Sequence, residues 1–88
     1  MTIEQKEDLS LKRLRWGCRR GMLELDLLLL PFFDTVYPSL ASADQQEFAR
    51  LLEEPDPKIL FWLMGKEEPD HEFTCIIEII RGHLSSLD

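Results

Sequence analysis

Residues 22–36 read MLELDLLLLPFFDTV, and this stretch decides the fold. Met22, Leu25, Leu29, Phe32, Phe33 and Val36 recur at intervals of three and four, the spacing that stacks side chains on one helical face. Leu23, Leu27, Leu28 and Leu30 fall on the remaining faces. A helix that is apolar nearly all round lies in the middle of a bundle or gives its second face to a partner. The run is rich in leucine and poor in β-branched residues, which argues against a buried strand. Pro31 removes one backbone hydrogen bond, so it either kinks this helix, at about 3 kcal/mol, or ends it.

The same helical period continues on both sides. Leu11, Leu14 and Cys18 share one face of a preceding helix that is expected to start near Ser10. Downstream, Tyr37-Pro38-Ser39 reads as a loop, and Ser42 with Gln45 has the spacing of a capping box. That box opens a third helix with Phe48, Leu51 and Leu52 facing inward, stopped at Glu53-Glu54-Pro55. Asp56 is expected to cap a fourth helix, with Pro57 at its first position, Ile59, Leu60, Leu63 and Met64 as its apolar face and Gly65 at its end. After an acidic loop, Asp70 is expected to cap a fifth, in which Phe73, Ile76, Ile77, Ile80 and Leu84 form one stripe. The pattern predicts an all-α fold, a single small bundle of about five short helices over residues 1–88, with an ordered core of about 8–84.

Composition narrows the function. At 88 residues the chain can bury roughly 60% of its unfolded surface in one core, too little for a barrel or a dinucleotide-binding sheet. The net charge is −7, yet residues 1–20 carry +3 and residues 21–88 carry −10. Such a field disfavours polyanions, so no nucleic-acid partner is expected. The longest apolar run, Leu27 to Phe33, is far short of a membrane span, and no membrane insertion is expected. The opening residues lack the pattern of a signal peptide, and two cysteines 57 residues apart are too few for a secreted disulfide scaffold. A cytoplasmic, reduced protein is the expectation.

Catalytic residues are not evident. His71 and His83 are twelve residues apart, there is no Cys-x-x-Cys, and no metal site is expected; both histidines read as surface groups. Cys18 lies among Arg15, Arg19 and Arg20 but shares the Leu11–Leu14 face, so it reads as a core residue; Cys75 reads as a packing residue. Trp16 has Lys12 and Arg13 one turn before it and Arg19 and Arg20 one turn after. It can stack on a base or flavin ring, or pack against a neighbouring helix. In Arg20-Gly21-Met22-Leu23-Glu24, a single helix would set Arg20 and Glu24 one turn apart, with the cation at the positive end. Gly21 weakens a helix start and permits close approach of another surface. Neither choice favours stability, and flanking Leu23, Leu27 and Leu28 point to an interface. Asp26, near the apolar stripe, reads as a rim acid paired with a basic group or an indole N–H.

Trp16-Gly17-Cys18-Arg19-Arg20-Gly21-Met22-Leu23-Glu24-Leu25-Asp26 followed by Pro31-Phe32-Phe33 resembles the SdhE (YgfY) family of succinate dehydrogenase assembly factors, also called flavinylation factors. The family hallmark Arg-Gly-x-x-Glu is intact as Arg20, Gly21 and Glu24, and Phe48-x-x-Leu51-Leu52, Asp56-Pro57 and Trp62-Leu63-Met64 are similar to the family pattern. The resemblance covers roughly residues 10–82.

What the resemblance implies is an all-helical monomer, not an enzyme, that promotes covalent attachment of FAD to the flavoprotein subunit of succinate dehydrogenase and of fumarate reductase. The linking histidine belongs to the target, and no cofactor is held stably by the factor. Arg20, Gly21 and Glu24, with Arg15, Trp16 and Asp26 beside them, are the expected partner-binding residues. Two alternatives stand next to this assembly chaperone: a direct FAD carrier using Trp16 and the basic cluster, and an antitoxin-like interaction module.

Overall fold

The computed structural model describes residues 2–86. Five α-helices follow one another: α1 Thr2–Gly17, α2 Leu23–Thr35, α3 Ser42–Leu51, α4 Asp56–Met64 and α5 Thr74–Ser86. Short 3-10 turns at Tyr37–Ser39 and His71–Phe73 lead into α3 and α5. No strand occurs among the described residues, and the architecture is the expected all-α bundle.

Helix α2 is its centre. Leu25, Leu29, Phe32 and Phe33 are buried, Met22, Leu28, Leu30 and Val36 pack against the core, and Leu23 and Leu27 face outward. Pro31 does not end the helix, which runs on to Thr35, where the threonine Oγ1 donates to the Pro31 carbonyl at 2.6 Å. Pro31 itself lies on an exposed side, where water can serve the carbonyl that its missing N–H leaves unpaired. Phe32, Phe33, Tyr37 and Phe48 form an aromatic cluster with ring centroids 4.7–6.2 Å apart. Helix α4 adds Ile59, Trp62 and Leu63, and α5 with its lead-in turn adds Phe73, Ile76, Ile77 and Ile80. The stripes of α2, α3 and α5 are the predicted ones, but α4 turns Ile59, Trp62 and Leu63 inward, so Trp62 takes the core place expected of Met64, which is 54% exposed.

The helix ends differ from expectation. Helix α1 starts at Thr2 and not near Ser10; residues 2–9 have no apolar period, but Glu, Gln and Lys are good helix formers. The Ser42–Gln45 capping box does not form. Ala41 takes the cap position, and Gln45 Nε2 donates 2.9 Å to the Tyr37 carbonyl. Pro55, in extended conformation, precedes α4, so Asp56 is its first residue and not its cap, and Pro57 comes second. Asp70 caps with its backbone alone, accepting from Phe73 N–H at 2.8 Å, while the Ile76 N–H at the start of α5 donates to Glu47 Oε1 at 3.1 Å. At α5 a distant carboxylate thus takes the place of a local side-chain cap. Gly65 ends α4 as expected, with φ +75°.

Cys18 is fully buried and its Sγ lies 3.6 Å from the Leu14 carbonyl. Burial pushes its thiol up to about 12, outweighing the opposite pull of Arg20 and Arg15. Cys75 is not a packing residue: it is exposed, with Sγ 3.9 Å from Asp44 Oδ1. His83 is half-buried rather than a surface group, its ring edge-on to Phe32 at 5.6 Å. In the native protein an alkylating agent at pH 8 is therefore expected to modify Cys75 and spare Cys18, read by mass spectrometry. Folding raises the Cys18 pKa from its ordinary 9.0, so the stability it carries is complete below pH 9 and is lost as pH rises toward 12. The slope is at most about 1.4 kcal/mol per pH unit. Urea midpoints at pH 8 and pH 11 should show that loss, and Cys18→Ala should remove its share.

Candidate functional site

The hallmark residues sit where α1 hands over to α2. Helix α1 closes with Cys18 N–H donating to the Arg15 carbonyl and Arg19 N–H to the Trp16 carbonyl, both at 3.0 Å. Cys18 plugs the core, and the chain reverses through Arg19, Arg20, Gly21 and Met22 before α2 begins at Leu23. Gly21 has φ +80°, in the left-handed region that L-residues avoid. Arg20 and Glu24 therefore do not share a helix, and the expected pairing one turn apart is absent, because Gly21 turns the chain between them.

Arg20 points inward across the molecule. Its Nε donates to Asp56 Oδ1 at 2.7 Å, its Nη1 to the carbonyls of Gly17 at 2.9 Å and Leu52 at 2.6 Å, and its Nη2 to the Glu54 carbonyl at 2.8 Å. Its side chain is 14% exposed. Its backbone N–H donates to Asp26 Oδ1 at 2.6 Å. Asp26 is thus paired, as expected of a rim acid, but with a backbone amide. Arg15 makes a two-point contact with Asp34, Nε to Oδ1 and Nη2 to Oδ2, both 2.9 Å. The pair holds the Asp34 carboxyl below its ordinary range and raises Arg15 further. Because the Asp34 pKa is lowered by folding, whatever stability the pair gives is present above the ordinary aspartate range and lost as pH falls below it.

The outward-facing residues are different ones. Trp16 is 70% exposed, with the Arg19 guanidinium 5.5 Å from its ring centroid. It does not pack on a neighbouring helix. Lys12, Arg15, Trp16 and Arg19 line an open cleft of about 310 Å³. Leu23 and Leu27, one turn apart, are 69% and 64% exposed, and Glu24 between them is exposed too. So the structure separates the six candidates. Arg20, Arg15 and Asp26 hold elements together; Trp16, Gly21 and Glu24 face solvent. Sequence reasoning missed Asp34 and Asp56 as partners of the two arginines. They lie 19 and 36 residues away, and no local spacing marks them.

A Cβ on Gly21 would meet nothing within 4 Å, so steric room does not explain the glycine. Its φ does. Gly21→Ala is expected to cost about 1–2 kcal/mol, and Gly21→Asn clearly less, because asparagine tolerates the left-handed region. Thermal melts of the two variants read the difference; equal melting would remove the backbone explanation. Among the described residues no group of three or more His, Cys, Asp or Glu side chains could hold a metal ion. No described helix is long and apolar enough to cross a membrane.

These features define a class: a small all-α protein whose distinctive surface is apolar and charged side chains around one interhelical turn. Comparison with known proteins specifies it. The family described as flavinator of succinate dehydrogenase, Sdh5, matches residues 12–84. The FAD assembly factor SdhE of Shewanella oneidensis is 48% identical over 77 residues, 86% of this chain and 94% of its own length. That of Coxiella burnetii is 45% identical over 76 residues, 85% and 93% of the two chains. A UPF0350 protein solved in solution is 38% identical, with a TM-score of 0.72, over 99% of this chain and 88% of its own. The chain belongs to the Sdh5 family.

Proposed function

We propose that this protein is a cytoplasmic assembly chaperone that docks on the flavoprotein subunit of succinate dehydrogenase and promotes covalent attachment of FAD to it. The observation that carries the reading, within this family, is the exposed Leu23–Glu24–Leu27 face at the start of α2. Two leucines more than 60% exposed on adjacent turns are poor solvent neighbours and good contact area, and Glu24 between them supplies a directional charge. Gly21 keeps the turn beside them low, and Trp16 with Arg19 offers a second contact. The chain has no Gly-rich phosphate turn, so FAD stays on the target. By holding the target's domains so that its histidine and the flavin C8-methyl meet, the chaperone lowers the barrier through orientation, with no reacting group of its own. Fumarate reductase is a second client of the same surface.

In-gel flavin fluorescence of the target subunit, made with and without this protein, tests the proposal. Fluorescence is expected to fall sharply when the protein is withheld; equal fluorescence would refute the role. A flavin carrier is the second reading, favoured by exposed Trp16 beneath Arg19 and the cleft they line. Titration with free FAD, followed by Trp fluorescence, separates the two. A carrier binds tightly, and the chaperone does not.

A further inference from the structure

The docking face follows directly on a turn whose glycine gives it no rigidity of its own, so its position must be imposed from outside. Arg20 imposes it. The guanidinium gathers acceptors from three places: the last residue of α1, the 52–54 corner that ends α3, and the first residue of α4. The Gly17 and Leu52 carbonyls belong to helix C-termini, where partial negative charge collects. On its other side the same residue's N–H is held by Asp26 in the first turn of α2. One residue therefore joins α1, α2 and the α3–α4 corner.

The three carbonyls are neutral acceptors. The formal charge in the set is Asp56, whose Oδ1 meets Nε at 2.7 Å with 14% of the Arg20 and 30% of the Asp56 side chain exposed. A charge-assisted bond with limited access to water is stronger than its neutral neighbours. We propose that Asp56, through Arg20, is a positioning residue for docking: it latches the 18–22 turn and so sets the Leu23–Glu24–Leu27 face. This rests on the docking role given to that face above.

Asp56→Asn in the full chain is the test, since it keeps the shape and an acceptor oxygen while removing the charge. Hydrogen exchange on the isolated protein reads the latch. Amides of residues 19–23 are expected to exchange about tenfold faster, with α5 amides unchanged. Affinity for the purified flavoprotein subunit, at a temperature where both forms are folded, is expected to fall about fivefold, with Glu24→Ala costing less in the Asp56→Asn background than in the wild type. Arg20→Lys, which keeps a charge but loses the fork, should reproduce both effects. Unchanged turn amides overturn the latch. So does wild-type affinity with a lowered melting temperature, which is what a merely structural role gives, and so does strict additivity with Glu24→Ala. Failure of the wild-type protein itself to bind the subunit would sink the docking reading, and the exchange measurement would still decide the latch.

Discussion

Ile77→Ala is expected to lower the free energy of unfolding by about 2–5 kcal/mol, measured by urea titration. Ile77 is fully buried on α5, beside Ile76 and Ile80, and α5 packs against α2, α3 and α4. Truncation removes the transfer energy of three carbons and leaves a space that helices on several sides cannot all collapse into. Small domains have only about 5–15 kcal/mol in total, so the variant should melt well below the wild type. Glu78→Ala, next in sequence but exposed, should stay within about 0.5 kcal/mol and serves as the control. A loss below 0.5 kcal/mol for Ile77→Ala would mean that α5 does not pack on the core.

The second large effect is functional. Glu24→Ala should sharply reduce covalent flavin on the target while leaving this protein folded. Glu24 is exposed in the first turn of α2, and Arg20, which a continuous helix would have set beside it, is engaged with Asp56 and three carbonyls. Its loss to the isolated chain is a helix-dipole contribution of about 0.3–1 kcal/mol. In a complex, a carboxylate removed from a desolvated polar contact costs about 1–3 kcal/mol, or up to two orders of magnitude in affinity. Circular dichroism should be unchanged, and flavin fluorescence at limiting chaperone should drop. Full flavinylation would remove Glu24 from the site; loss of activity together with unfolding would make it structural.

The apolar stripes of α2, α3 and α5 were legible because helical burial repeats every three to four residues and leaves its mark in the chain; that of α4 was legible only in part, since Trp62 and not Met64 faces the core. Leu25, Leu29, Phe32, Phe33 and the Phe73–Ile80 series all went where the period put them. Leu23 and Leu27 were legible as excess apolar surface for the same reason. Cys18 was readable as core from its face; Cys75, exposed on α5 beside Asp44 of α3, was misread as packing. The hallmark residues were misread in geometry. Periodicity cannot register a single positive φ, and Gly21 breaks the helix that the Arg20–Glu24 spacing suggested. Arg20's partners stand 3 to 36 residues away and most are backbone carbonyls, which every residue carries and which no sequence pattern singles out.

The helix ends have a further consequence for how the chain assembles. Helices α2, α3 and α4 have no side-chain hydrogen bond at their N-caps. Two helix ends are met from far along the chain: the Leu52 carbonyl after α3 by Arg20, 32 residues away, and the Ile76 N–H at the start of α5 by Glu47, 29 residues before it. Excised peptides covering single helices would lack the groups that close them and, at 9 to 16 residues, would be too short to persist in water. The bundle is interlocked in the manner of an arch, whose stones stand only when the last is in, and its unfolding is expected to be all-or-none.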